Sequence, residues 1–356
     1  MTGADPASIR PTGPGIGRQF WLDVTRGLAV VSMIVAHTSP WGGLWNVSEY
    51  LTAPLFAFLV GVSLHLAWVR SAQRYWLFVA AGLLRGLVLV VLGELLQTVY
   101  WSIIVVLQTL GVLTIVLAPV VPLLVRRRWT AYAVSATFAL LSPVVMGAAR
   151  DWLRSAASTP ETVWLVDVLA AGDAYRVTTF VALGAAGIAV TPWLLGRPTP
   201  RPRGAVPSVV LLGCSAGAYL IGRATPIGAD AYSGTTPEIV GAVLLCAAVT
   251  SGARWLVEAL GAERAQRWLG PVAATGRMAL TAYTLQILAL AAIVRLWSLR
   301  SDDNWATMTG VTVLCVAVSW AWLRALPQGP VEALLRLPGQ ALATSWPTRP
   351  EARETR

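Results

Sequence analysis

The first long apolar segment of the chain has a charged pair near its start and a histidine near its end. Asp23 and Arg26 precede an apolar run that reaches His37. At about 100° per residue, Arg26 and His37 lie within about 20° of each other on one helical face, which Asp23 shares. Ionisable groups in a membrane helix are costly, so they mark a functional site by default. We expect a guanidinium that binds an anion near one membrane surface. An imidazole that transfers a proton would lie about 16 Å deeper, in the same water-filled cleft.

Other polar residues interrupt later apolar segments. Arg85 lies in the middle of its segment, too deep to reach the surface easily, and should face a partner or a watery cavity. Arg277 opens a polar stripe that suits either an anion or hydrogen bonds between helices. Glu94 and Gln97 share one helical face near the opposite membrane surface, where they could line the acceptor side of the site.

Three further polar residues have simpler interpretations. A lone histidine such as His65 is more often structural than catalytic. Gln108 and Gln286 could form hydrogen bonds across helices without any catalytic role.

The composition places these residues in a membrane protein. Of the 356 residues, 56% are hydrophobic and only 12% are charged, against about 25% charged in a soluble domain. The net charge of +10 is dispersed among short loops, which argues against a nucleic-acid partner. We predict an all-α, polytopic bundle of about 10 (10–11) transmembrane helices. The predicted spans are 22–39, 51–69, 75–97, 102–125, 129–149, 177–195, 205–222, 238–253, 271–296 and 305–324.

The distribution of arginine predicts the orientation. All 27 basic residues are arginine. Between the predicted spans, 18 arginines lie on the side of the N-terminus and 6 lie on the opposite side. This bias predicts cytoplasmic N- and C-termini. We expect a multi-pass protein of the cytoplasmic membrane of a bacterium. We predict one transmembrane domain, 20–335, between a disordered N-terminal tail, 1–19, and a cytoplasmic tail, 336–356. Within the domain, we expect an amphipathic helix at 254–269 that lies at the inner membrane interface.

Several chemistries lack the residues that they need. The three cysteines have no partner at ligand spacing, so we expect neither a disulfide framework nor a metal site. The sequence contains no P-loop, dinucleotide fingerprint or nucleophile elbow.

The motifs resemble those of the transmembrane acyltransferases, which carry Arg-x₁₀-His in their first helix, as Arg26 and His37 do. The stretch from Pro54 to Ser63 resembles a Phe-rich family segment. Two late segments, which start at Gly276 and Gly329, are similar to motifs of the YeiB-like branch, itself similar to the heparan-α-glucosaminide N-acetyltransferases. The resemblance covers about residues 20–335.

This resemblance implies transfer of an acyl group, with acetyl-CoA the expected donor, from the cytoplasmic face. The acceptor would be a hydroxyl or amine of a glycan, a glycolipid or another membrane or extracytoplasmic molecule. His37 would act as general base or carry the acyl group itself, and Asp23 would orient Arg26. The phosphates of the donor would be neutralised by arginines such as Arg26, Arg85 and Arg277.

The sequence departs from this family at two places and leaves other functions open. Tyr175-Arg176 stands where Tyr-Pro is expected, and Tyr232-Ser233-Gly234 where His-Ser-Gly is expected. The departures imply an altered acceptor side that lacks a second histidine. A carrier or flippase for an anionic or glycosylated lipid is the main alternative, and a non-catalytic sensor is a weaker one. The oligomeric state stays open, a homodimer being one alternative.

Overall fold

The computed structural model describes residues 19–40, 44–71, 74–100, 102–155, 159–196, 201–297 and 303–336. Within these ranges the chain forms helices and no strand. The predicted tails lie outside the described residues, apart from Gln19 and Arg336. The α-helices are α1 (Phe20–Thr38), α2 (Thr52–Arg70), α3 (Tyr75–Val99), α4 (Leu107–Leu117), α5 (Val121–Arg126), α6 (Arg128–Ser155), α7 (Pro160–Val166), α8 (Val177–Leu194), α9 (Arg201–Ala224), α10 (Thr236–Leu260), α11 (Ala262–Arg277), α12 (Ala279–Trp297) and α13 (Trp305–Ala325).

The all-α, polytopic fold is confirmed. Nine helices of the described chain are long and apolar enough to cross a membrane: α1, α2, α3, α6, α8, α9, α10, α12 and α13. In the bundle α2 and α8 are largely buried, whereas few residues of α9 are fully buried. We name the end of the bundle where α1 begins the inner end, and the opposite end the outer end.

The predicted span 102–125 is wrong as a single helix. The helix α4 contains only 11 residues, and a turn at 118–120 separates it from α5. The short helix still returns along α3, because Gly93 lies against Gln108 while Tyr75, at the start of α3, donates a hydrogen bond to the Pro119 carbonyl. A Cβ atom at Gly86 would lie 2.7 Å from the Gly111 carbonyl oxygen, so only glycine allows the two backbones to approach this closely.

The predicted span 271–296 also contains a break. The backbone leaves the helical conformation at Met278, where α11 ends and α12 begins. The Glu332 carboxylate accepts hydrogen bonds from the backbone N–H groups of Leu280 and Thr281 and from the Thr281 hydroxyl. A side chain that is distant in sequence therefore caps the unsatisfied N-terminus of α12.

The segment expected to be one amphipathic helix, 254–269, is divided between two helices. The helix α10 extends to Leu260, and Gly261, with φ +75°, separates it from α11. The following helix packs against the inner half of α1, where added Cβ atoms at Gly27 and Gly276 would overlap the backbone of the facing helix. This contact fixes the position of α1, which holds the first candidate site residues.

Candidate functional site

The two charged residues of α1 are held together at the inner end of the bundle. Asp23 is almost fully buried, and its Oδ1 lies 3.3 Å from Nη1 of Arg26. Nη2 of Arg26 donates a hydrogen bond to Oγ of Ser63 on α2, at 3.0 Å. These contacts leave Arg26 partly exposed, between two helices, with its carboxylate partner beneath it.

Arg26 lines a cavity of about 350 Å³ that we name the inner cavity. Five arginines and two acidic residues contribute to its wall: Arg26, Arg70, Arg85, Arg277, Arg336, Asp23 and Glu332. The excess of guanidinium groups favours a ligand with several negative charges, such as phosphates. The cavity thus brings together Asp23 and the three arginines predicted from the sequence to bind the donor.

Arg70 and Arg336 are members of this cavity that the sequence interpretation treated only as signals of orientation. Arg277 also donates a hydrogen bond from Nη2 to the carbonyl of Pro327, at 3.0 Å. Both Pro327 and Glu332 follow α13, so the segment after the last membrane helix completes the inner cavity.

An apolar slot of about 230 Å³ adjoins the inner cavity. Arg26, Ser63 and Arg85 line both spaces, and the slot continues between α2, α3, α4 and α12 as far as Val106 and Tyr283. Its wall includes residues 78 to 89 of α3, a rise of about 16 Å along the helix. A charged cavity that leads into an apolar slot matches a ligand with an anionic head and an elongated, less polar arm.

His37 lies at the opposite end of α1 and lines a different cavity, which we name the outer cavity, of about 320 Å³. Two carboxylates, two phenols and the imidazole contribute to it: Glu49, Asp303, Tyr175, Tyr232 and His37. Among the described residues its wall includes no arginine, in contrast to the inner cavity. The sequence interpretation did not select Glu49 or Asp303 as candidates, since both fall in loops or short helical turns outside the predicted spans.

The expectation that Arg26 and His37 face one cleft is wrong. Arg26 lines the inner cavity and the apolar slot, whereas His37 lines the outer cavity. The segment 102–106 contributes Val106 to the slot, and its other end contributes Ser102 to the outer cavity. This segment therefore forms part of the wall between the two spaces.

Gln97 holds that wall in place. Its Nε2 donates to the Ile103 carbonyl and its Oε1 accepts from the Val105 N–H, both at 2.9 Å. The Tyr283 hydroxyl accepts a hydrogen bond from the next backbone N–H, that of Val106, at 3.3 Å. Gln97 thus shapes the boundary of the outer cavity without lining it.

Glu94, the other residue expected on the acceptor side, does not line the outer cavity either. Its Oε1 accepts a hydrogen bond from Nε1 of Trp164 on α7, at 3.0 Å, in an exposed position. The structure therefore separates Glu94 and Gln97 from His37, although the sequence placed all three near the outer end.

A buried arginine supports the two tyrosines of the outer cavity. Nη1 of Arg176 donates to the Gly172 carbonyl at 2.7 Å, and Nη2 donates to the Tyr232 carbonyl at 2.5 Å. Tyr232 adopts φ +62° and Gly234 φ +72°, and a Cβ at Gly234 would lie 2.6 Å from the guanidinium. The close approach therefore requires glycine at 234.

The result is an aromatic wall beside His37. The rings of Tyr175 and Tyr232 meet edge to face, with centroids 5.3 Å apart. Desolvation raises the pKa of Tyr175 to about 12, so its phenol stays protonated at neutral pH. Tyr232 and Arg176, which holds the Tyr232 carbonyl, are the two residues at which the sequence departs from the family motifs.

The imidazole of His37 also contacts α12. Its Nδ1 lies 2.8 Å from Nε2 of Gln286, which is fully buried. The predicted hydrogen bond of Gln286 across helices is therefore confirmed. The imidazole of His65 also contacts a neighbouring helix, since its Nδ1 lies 3.0 Å from the Ile188 carbonyl of α8.

This architecture defines a class of multi-pass membrane protein. It has an arginine-lined cavity at one end of the bundle and a histidine-containing cavity at the other. Residues 18–222 match the family model described as heparan-alpha-glucosaminide N-acetyltransferase, catalytic. The chain belongs to this family of membrane acetyltransferases. Residues 208–338 match a second model, described as a protein of unknown function (DUF418). No curated protein matches the chain.

Proposed function

We propose that the protein transfers an acetyl group from acetyl-CoA, bound at the inner end, to an acceptor bound in the outer cavity. The observation that carries this proposal is the inner cavity, whose wall contains five arginines, two of which also line the adjoining apolar slot. The phosphates of coenzyme A would pair with these guanidinium groups, and its acyl-bearing arm would enter the slot.

His37 is the residue that carries the chemistry in this proposal. As general base, its imidazole takes the proton from the acceptor hydroxyl or amine while that oxygen or nitrogen attacks the carbonyl carbon of the thioester. The carbon–sulfur bond breaks, and the leaving thiolate of coenzyme A receives the proton from the imidazolium. A route in which His37 first carries the acyl group gives the same products, and both routes require this imidazole.

The wall between the cavities must open during transfer. The slot reaches Val106, and the outer cavity begins at Ser102 of the same segment. Displacement of residues 102–106 would bring the thioester to His37. The hydrogen bonds of Gln97 and Tyr283 would then close the wall after each transfer.

The charge of the outer cavity bears on the acceptor. Glu49 and Asp303 both contribute carboxylates to the cavity wall. Such a cavity disfavours anions, so a neutral or cationic hydroxyl or amine acceptor, such as part of a glycan or glycolipid, fits best. We propose cytoplasmic termini, which place the inner cavity toward cytoplasmic acetyl-CoA and the outer cavity toward the other face of the cell membrane.

The test uses inverted membrane vesicles that contain the protein and radiolabelled acetyl-CoA. We expect label in a glycan or lipid fraction with the wild type and none above background with His37→Ala. The matched control is His65→Asn, which changes the other histidine of the chain and keeps a side-chain N–H for Ile188. Absence of labelling with the wild type, or full labelling with His37→Ala, would contradict the proposal.

A carrier or flippase for an anionic or glycosylated lipid remains the second candidate, because two separate cavities with a wall between them also suit alternating access. Coenzyme A release distinguishes the two functions. Movement of an unmodified lipid without release of coenzyme A would favour the carrier.

A further inference from the structure

Gln286 is positioned to control which nitrogen of His37 carries a proton. It is fully buried in α12, and its carboxamide lies 2.8 Å from Nδ1 of His37. His37 itself is one of the residues that line the outer cavity, and its second nitrogen, Nε2, is not engaged by this contact. Tyr283, one turn earlier on the same helix, holds Val106 of the wall. One face of α12 therefore contacts both the imidazole and the segment that separates it from the slot.

The chemistry of the imidazole sets a requirement on this contact. A neutral imidazole has one N–H donor and one acceptor nitrogen, whereas an imidazolium has two donors. Proton uptake from the outer cavity needs a free lone pair on Nε2, so Nδ1 must already carry its proton. A carboxamide N–H directed at Nδ1 is incompatible with that state, because two donors would face each other.

Gln286 can meet this requirement by directing its carboxamide oxygen, Oε1, at the ring. In this structure Nε2 of Gln286 faces the ring, and its buried Oε1 has no hydrogen-bond partner among the described residues. A half-turn of the carboxamide would direct Oε1 at Nδ1, which then donates its N–H. Each orientation pairs one amide atom with Nδ1, so the proton on the ring decides between them.

We infer that Gln286 is the positioning residue of His37: in the reacting state its Oε1 accepts the Nδ1–H and leaves Nε2 free to take the proton of the acceptor. This inference rests on the proposed function. The acceptor proton moves to Nε2, and the resulting imidazolium keeps its Nδ1–H bonded to Oε1. The proton on Nε2 then passes to the thiolate of coenzyme A, which restores the neutral ring with its proton on Nδ1. The role resembles that of the third member of a catalytic triad, with a neutral oxygen as the acceptor.

The experiment compares three substitutions in the vesicle assay, with purified protein for acetyl-CoA binding. Gln286→Leu removes the oxygen, and we expect kcat to fall about 10- to 100-fold, the effect of losing a hydrogen bond to a charged group. The KM for acetyl-CoA should stay within about twofold, since Gln286 is outside the inner cavity. Gln286→Glu keeps a carboxyl oxygen at the same position and should restore kcat to within about tenfold of the wild type.

The matched control is Gln108→Leu, the same change at a glutamine of α4 that does not line the three cavities. We expect an unchanged kcat. Wild-type kcat in a folded Gln286→Leu protein overturns the inference, and so does an equal loss in Gln286→Glu and Gln286→Leu. Thermal unfolding in detergent establishes that each variant is folded, and Gln286→Met replaces the Leu variant if the latter unfolds.

The role of His37 and the role of Gln286 are tested by separate outcomes. If His37→Ala transfers acetyl groups at the wild-type rate, the proposed function itself is wrong. If His37→Ala is inactive while Gln286→Leu is fully active, His37 works without Gln286 and only this inference is wrong.

Discussion

The inner and outer cavities are similar in volume, about 350 and 320 Å³, but differ in the charged side chains that the described residues contribute to their walls. Arginines exceed acidic residues in the inner cavity by five to two, whereas the described wall of the outer cavity has two carboxylates and no arginine. The difference indicates two ligands of different charge rather than one ligand passing through a uniform path. It also explains why the predicted donor residues lie together while His37 lies apart from them.

The two cavities also differ in how their walls are held. Side chains from helices distant in sequence build the inner cavity, and Glu332 fixes its edge by capping α12. A short segment, 102–106, forms part of the boundary of the outer cavity and is held by side-chain hydrogen bonds. Such a segment can be displaced at a lower cost than a packed helix. The predictions that follow separate binding at the inner cavity from chemistry at the outer one.

The largest expected effect comes from His37→Ala. If the outer cavity performs the chemistry, the rate of transfer falls by about 10² to 10⁴-fold, the usual contribution of a general base. Equilibrium binding of acetyl-CoA should change by less than about twofold, because the inner cavity is intact. Loss of acetyl-CoA binding in this variant would mean that the two cavities are one site.

Arg85→Gln tests the inner cavity. Loss of a charged partner for a phosphate should raise the Kd of acetyl-CoA by about tenfold or more, measured by equilibrium binding at constant ionic strength. Arg295→Gln is the control, since Arg295 donates a hydrogen bond to the Val99 carbonyl near the outer end. Equal weakening by both substitutions would show that net charge, and not the inner cavity, attracts the donor.

Gln97→Leu tests the wall. It removes two hydrogen bonds, and the free energy of opening the 102–106 segment should fall by about 1–3 kcal/mol. Amide hydrogen exchange of residues 103–106 reports this change as faster exchange. Thr98→Val, which alters an exposed hydroxyl of the same helix, should leave the exchange unchanged. An unchanged exchange rate in Gln97→Leu would show that Gln97 does not stabilise the 102–106 segment.

The smallest expected effect is that of Glu94→Gln. Glutamine keeps an oxygen that can accept the hydrogen bond of Trp164, and the position lies outside the outer cavity. Transfer should therefore stay within about twofold of the wild-type rate. The same change at Glu49, inside the outer cavity, should have the larger effect in the same vesicle assay. A larger loss of transfer with Glu94→Gln than with Glu49→Gln would show that Glu94 contributes to the acceptor site.

Helical periodicity predicted the all-α membrane fold because a spanning helix must satisfy its backbone within about 20 apolar residues. It failed where the chain breaks inside an apolar run, at 118–120 and at Met278. The first break does carry a local signal that the predicted span passed over, Pro119 followed by Pro122. The second is stabilised by Glu332, which lies about 50 residues later in the chain, so no local pattern could have indicated it.

By itself the sequence determined that Asp23, Arg26 and His37 share one face of the first helix, because a helix fixes the angle between its residues. It also identified Arg85, in the middle of a span, and Arg277, at the start of another, as charges that need a polar environment. Only the tertiary structure decided that the arginines meet in one cavity and His37 in another. It alone placed Gln286 on the imidazole and the two tyrosines beside it. The physical reason is that cavities form between helices, and the distances across them depend on packing contacts such as that of Gly27 with α11.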